Sequence, residues 1–153
     1  EYQDLAGQSS CKKCLPNTKS ENANSTKCDD CGIGEKADAG SAKCIKCDAG
    51  EAGTGRNGAC ELCSEGQYRN STMEAAICFH CPAGWFSEAG STKCQLCEAG
   101  KFSHVKEKPC ENCGVGRFRA GDMSGTECKG CMKGFYQELP GQASCLPCIV
   151  SVM

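Results

Sequence analysis

Residues 81–113 read CPAGWFSEAGSTKCQLCEAGKFSHVKEKPCENC. One phrase is spoken twice: Cys-x-x-Gly-x-aromatic, a polar stretch, then Cys-x-x-Cys, whose second cysteine opens the next phrase. Followed outward, it accounts for the chain. All 18 cysteines fall into nine CxxC pairs (11/14, 28/31, 44/47, 60/63, 78/81, 94/97, 110/113, 128/131 and 145/148), and their first members lie 16 to 18 residues apart. Self-similarity at a fixed period marks a repeat array and overrides a single-domain reading.

Glycine stands three residues after seven of the pairs, at Gly34, Gly50, Gly66, Gly84, Gly100, Gly116 and Gly134, and Asn17 takes that place after Cys14. Both residue types tolerate positive φ, so the position is read as a left-handed turn. A second glycine lies four residues before several pairs, at Gly7, Gly40, Gly90 and Gly141. An aromatic follows the turn glycine by two residues at Tyr68, Phe86, Phe102, Phe118 and Tyr136, and Tyr2 keeps the register. The slot instead holds Lys19, Lys36 and Ala52 in three early units, so residues 15–60 are expected to be looser. So short and glycine-rich a unit excludes a helix pair and predicts two brief extended segments joined by a turn.

Composition explains why cysteine recurs. Leu, Ile, Val and Phe together number 19 in 153 residues, too few for a conventional core. Cross-links must replace the missing apolar packing. A net charge of −2 gives no basic footprint for nucleic acid or anionic membrane. No apolar run approaches the length of a membrane span, so no membrane insertion is expected within this segment.

Three chemistries compete for the cysteines. Paired CxxC knuckles can hold zinc, but nine pairs divide unevenly into four-cysteine sites. Redox catalysis needs one tuned thiolate at a helix start, and nine copies with variable middles do not resemble one. We read them as structural disulfides. Two sequons, Asn24-Ser25-Thr26 and Asn70-Ser71-Thr72, agree with the oxidising secretory route and predict N-glycans at Asn24 and Asn70. Ser9, Ser41, Ser91 and Thr92 before the cysteines are read as turn residues, with O-glycosylation as the alternative.

Two pairings satisfy locality. In one, successive pairs cross-link as blocks (11–28 with 14–31, and so on), which strands a whole pair when nine are present. In the other, the second cysteine of each pair bonds the first of the next: Cys14–Cys28, Cys31–Cys44, Cys47–Cys60, Cys63–Cys78, Cys81–Cys94, Cys97–Cys110, Cys113–Cys128 and Cys131–Cys145. That leaves only Cys11 and Cys148, as intermolecular partners or as partners of segments outside this window. We take the second. Each bond closes a loop worth about 3 kcal/mol against the unfolded chain.

CPAGWFSEAGSTKCQLC (81–97) and CEAGKFSHVKEKPCENC (97–113) resemble the ephrin-receptor-like cysteine-rich repeats. They are similar also to the module C-P-x-G-x-aromatic…C that opens tumour-necrosis-factor-receptor repeats, a resemblance that implies the Cys81–Cys94 bridge. It spans Tyr2 to Cys148 and implies an extracellular disulfide-rich rod. Arrays that repeat this one module resemble protist and algal surface proteins, which implies a coat, antigen or appendage component.

The predicted fold is therefore small, disulfide-rich and mostly irregular, with short β-hairpins. About nine CxxC units build an elongated, solenoid-like tandem-repeat rod, roughly 90 Å long if units stack at the separation of packed sheets. The units over 1–148 are 1–14 (partial), 15–31, 32–47, 48–63, 64–81, 82–97, 98–113, 114–131 and 132–148. Residues 149–153 form an apolar tail or the start of another repeat.

The ends share a phrase. EYQDLAGQSSCKKC (1–14) and FYQELPGQASCLPC (135–148) are identical at eight of fourteen positions. Written end to end, Cys148 and Cys11 are separated by 15 residues, against 12 to 14 within the array. Either adjoining segments of a longer chain complete the ends, or copies self-associate head to tail. In the latter case Ile149, Val150 and Val152 would add to a neighbour's first repeat. Trp85 and Phe86, the densest apolar spot, are read as structural packing or as an interface anchor. His80 and His104 have no carboxylate or nucleophile at a recognisable motif spacing. No P-loop, EF-hand or nucleophile elbow occurs, so neither an enzyme nor a cofactor is expected. The expected role is an extracellular structural subunit, secreted or at the cell surface; the alternative is a receptor or antigen module recognising a protein ligand.

Overall fold

The computed structural model describes residues 1–3, 10–22, 24–53, 59–106 and 108–149. Among these there is no helix. There are sixteen two-residue strands that form eight hairpins: β1 (Thr18–Lys19) with β2 (Asp29–Asp30), β3 (Glu35–Lys36) with β4 (Ile45–Lys46), β5 (Glu51–Ala52) with β6 (Glu61–Leu62), β7 (Gln67–Tyr68) with β8 (Phe79–His80), β9 (Trp85–Phe86) with β10 (Gln95–Leu96), β11 (Lys101–Phe102) with β12 (Glu111–Asn112), β13 (Arg117–Phe118) with β14 (Lys129–Gly130), and β15 (Phe135–Tyr136) with β16 (Leu146–Pro147). A bridge between Tyr2 and Lys12 repeats the pairing in the first unit.

Each hairpin follows from the repeat. The turn residues have positive φ throughout, from 62° at Asn17 to 88° at Gly134. Trp85 N–H donates to Pro82 C=O at 3.1 Å across Gly84. This is a four-residue turn whose third position requires left-handed backbone. The chain then runs through two extended residues, loops through polar sequence, and returns as the two middle residues of the next CxxC. Cys97 N–H closes the hairpin on Gly84 C=O at 2.9 Å. Strands this short cannot stand alone in water, and each hairpin is therefore closed by one disulfide.

The turn glycine has a second task. Its own N–H points out of the hairpin to the next repeat: Gly34 to Gly53 C=O (3.0 Å), Gly84 to Ser103 C=O (2.7 Å), Gly100 to Arg119 C=O (2.7 Å). Backbone contacts group the chain into two compact units. One comprises Glu1–Ser64, Tyr68–Phe79 and Ala89–Thr92; the other comprises Glu65–Gln67, His80–Glu88 and Lys93–Met153.

Along the chain, the bonds inside these units recur with a longer period than the cysteines. Gly40, Gly90 and Gly141 N–H donate to Cys14, Cys63 and Cys113 C=O, and Gln3, Gly53 and Ser103 N–H donate to Ser25, Ala75 and Gly125 C=O. The repeats therefore come in threes, about every 50 residues.

The core is sulfur. Among the described residues the buried apolar ones are Cys14, Cys31, Cys47, Cys63, Cys81, Cys97 and Cys113 with Ala37 and Ala52. The aromatic slot is not the innermost position: Tyr68, Phe86, Phe102 and Phe118 are half-buried and Tyr136 is exposed. The residue after it faces inward instead, and it is polar in most repeats: Ser20, Arg69, Ser87, Ser103, Arg119 and Gln137 are buried. The non-aromatic slots in early repeats have their own anchors. Lys36 bonds Asp48 at 2.5 Å and Glu51 at 2.9 Å, Lys19 bonds Glu21 at 2.5 Å, and Ala52 is buried. The hydrogen bond from Lys36 to Asp48, then that to Glu51, holds its ammonium above the ordinary lysine range.

Candidate functional site

The chemically distinctive groups are the disulfides, two buried arginines, two free thiols and two sequons. Eight bridges join the second cysteine of one CxxC to the first of the next, from Cys14–Cys28 and Cys31–Cys44 through Cys113–Cys128 and Cys131–Cys145, with Cα separations of 5.6 to 5.8 Å. These distances lie in the ordinary disulfide range. Cys11 and Cys148 are exposed free thiols.

Arg69 and Arg119 are 2% and 0% exposed, although arginine is almost never fully buried without partners. Arg119 Nε donates to Lys101 C=O, and Nη2 donates to Cys97 C=O and to Glu98 C=O (2.6 Å). Nη1 donates to Met123 C=O at 2.8 Å and Ala120 C=O at 3.4 Å. Arg69 repeats the arrangement on Glu51, Cys47, Asp48, Asn70 and Met73. A guanidinium has five N–H donors in a planar fork. Here all of these bonds go to backbone carbonyls, three of them in the preceding repeat and two in the arginine's own loop. Each arginine thus fastens one repeat to the one before it.

Sequence reasoning missed this pair because a charged residue beside an aromatic reads as surface. The signal was present as GQYRNSTM (66–73) and GRFRAGDM (116–123), a Gly-x-aromatic-Arg-x-x-x-Met shared by two repeats. The same two repeats have the widest disulfide spacing, 15 residues. The extra length supplies the loop whose carbonyls face the guanidinium.

The other candidate residues are dispersed. Trp85 is 41% exposed and faces Leu96 across its hairpin, which is 37% exposed. Phe86 lines a shallow hollow of about 380 Å³ with Glu65, Glu88, Lys108 and Pro109. His80 Nδ1 is 3.3 Å from Gln67 Nε2, and His104 stacks on Phe102 with ring centroids 5.7 Å apart. Asn24 is exposed with a φ of 64°. Asn70 Oδ1 accepts from Thr72 N–H (2.9 Å), Thr72 Oγ1 (2.7 Å) and Met73 N–H (3.1 Å), so this sequon is folded into a side-chain turn. Ile149 is 87% exposed, while Val150, Val152 and Ser9 lie outside the described residues. Among the described residues no three His, Cys, Asp or Glu side chains gather where a metal could be held, and no helix is long and apolar enough to cross a membrane.

Fold and cysteine pairing together define the class, a cysteine-rich tandem-repeat protein in which one disulfide staples each short hairpin. The density of disulfides suggests a secreted or extracellular, non-enzymatic module, because such bonds persist in oxidising compartments. No protein-family model matches the chain, and no curated protein matches it.

Proposed function

We propose that the protein is a structural component of an extracellular coat or filament, N-glycosylated at Asn24 and Asn70, whose copies join head to tail. The observation that carries this reading is the pairing itself. Sixteen cysteines pair in one uniform scheme, and Cys11 and Cys148 remain as exposed thiols that can pair with a second copy or with adjoining segments of a longer chain. A contact between unlike faces does not close on itself, so it extends into a fibre. The kinship in spacing to ephrin-receptor-like repeats supports an extracellular setting and leaves the ligand open.

Non-reducing peptide mapping, with free thiols alkylated beforehand, tests this. A Cys148–Cys11 peptide between chains is the expected result. Both cysteines alkylated in a protein isolated from its native surface would overturn the covalent joint. A second reading, a receptor or antigen module, is favoured by the exposed Trp85–Leu96 pair. It predicts that Trp85→Ala abolishes capture of a protein ligand while leaving self-association intact.

A further inference from the structure

The loops that follow Arg69 and Arg119 are built alike. Met73 N–H donates to Asn70 C=O at 3.3 Å, and Met123 N–H to Ala120 C=O at 3.1 Å. Each methionine sulfur accepts the N–H of the residue after the arginine, Asn70 at 3.5 Å and Ala120 at 3.3 Å. In both, the arginine Nη1 donates to the carbonyls of that residue and of the methionine. One disulfide with a sequence separation of 15 closes each loop. The second loop does all this with Ala120-Gly121-Asp122 where the first has Asn70-Ser71-Thr72. The Asn70 side chain is therefore not needed to shape the loop, and the three hydrogen bonds that its Oδ1 accepts are peculiar to the sequon.

Those bonds bear on the chemistry of the sequon. N-glycosylation joins the asparagine amide nitrogen to the anomeric carbon of a sugar carried on a lipid diphosphate. The anomeric C–O bond breaks, the diphosphate leaves with the electron pair, and the amide proton passes to a base of the transferase. To attack, the nitrogen must bring its lone pair out of conjugation with the side-chain carbonyl. Three donors on Oδ1 pull the other way, because they favour the resonance form with charge on oxygen and a double bond to nitrogen. The hydroxyl that makes Asn-x-Thr an acceptor is itself spent on Oδ1. The backbone is held as well, since Arg69 is buried and clasps Asn70 and Met73 from within. A transferase cleft cannot take up residues 70–72 while the guanidinium and the Cys63–Cys78 bridge hold them. The first sequon differs: Asn24 and Thr26 are both exposed, and no hydrogen bond of either side chain is found among the described residues.

We propose that Asn70 accepts its glycan only before the Cys63–Cys78 bridge closes, whereas Asn24 stays an acceptor after folding. Oxidation of the loop and glycan transfer then compete for the same chain, so redox conditions during folding set what share of molecules carries the second glycan. The inference rests on reading Asn70 as N-glycosylated and adds the order of events.

The test uses the full chain made without glycans and oxidised, its eight bridges verified by peptide mapping. It is incubated with a purified transferase and a lipid-diphosphate-linked oligosaccharide, beside the same chain reduced and alkylated. Occupancy at each asparagine is followed by mass spectrometry. In the oxidised chain Asn70 should be modified at least about tenfold more slowly than Asn24, because transfer waits for local opening of the loop. In the reduced chain the two rates should converge. The double change Ala120→Asn/Asp122→Thr moves an acceptor into the equivalent Cys113–Cys128 loop, and it should show the same dependence on reduction. Equal rates at Asn24 and Asn70 in the oxidised chain, fast or blocked alike, would overturn the proposal. So would an Asn70 that stays unmodified in the reduced chain. If in either case the native protein carries a glycan at Asn70, the glycosylation reading survives without this order; if it carries none there, both fall.

Discussion

Arg69 and Arg119 do the work that a large apolar side chain does in an ordinary core. Removing one leaves five carbonyls facing a void, and unsatisfied buried polar groups cost about 1–3 kcal/mol each, so Arg119→Met should destabilise its repeats by at least about 3 kcal/mol. Arg119→Lys should recover little, because an ammonium on a flexible stem cannot place five donors in a planar fork. Thermal unfolding of the oxidised protein, with hydrogen exchange at the Gly100 amide bonded to Arg119 C=O, measures both. Glycine makes a second test at this scale. Gly116→Ala meets nothing within 4 Å and should cost only the left-handed strain, about 1–2 kcal/mol. Gly84→Ala adds an overlap with Gly125 to that strain and should cost distinctly more in the monomer. Equal losses would mean that the close approach at Gly84 is relieved by backbone movement.

The hairpin is the element, and its legibility was uneven. Its turn could be read from one residue, since Gly or Asn three after each pair implies positive φ, and every such residue has it. Its strands could be read as short and its closure as cysteine-based. The inward position could not. Ser20, Ser87 and Ser103 carry no hydrophobic mark, yet they are buried with their hydroxyls donating to backbone carbonyls of Glu1, of Gln67, and of Val105 and Lys108. The aromatics looked like the packing residues, yet they sit at the margin. Removing one staple with the double change Cys81→Ser/Cys94→Ser should cost about 2–5 kcal/mol. Limited proteolysis should then cut first within 82–93, while the neighbouring Cys63–Cys78 and Cys97–Cys110 loops stay resistant. Uniform cleavage along the chain would instead show that the repeats unfold as one.

At the scale of the whole molecule, seven of the nine buried apolar residues among the described ones are cysteines. A reductant should therefore abolish folded structure at neutral pH without denaturant, raising the hydrodynamic radius toward that of an unfolded chain. A metal chelator alone should leave the protein unchanged. Folding lost to the chelator, with thiols then freely alkylated, would show that the cysteines hold metal and that the extracellular reading is wrong.

The amino-acid sequence by itself determined the period, the left-handed turns and the reliance on cross-links, because each depends on contacts within about one repeat of chain. A CxxC every 16 to 18 residues restricts every cysteine to its neighbours, and the scarcity of Leu, Ile, Val and Phe excludes a conventional core whatever the topology. Only the tertiary structure decided the three-repeat order, the burial of Arg69 and Arg119, and which turn glycines are covered. These depend on residues such as Gly84 with Ser103, 19 positions away, and with Gly125, 41 positions away, meeting through backbone carbonyls and amides. Every residue carries those groups alike, so their pairing leaves almost no trace in residue type.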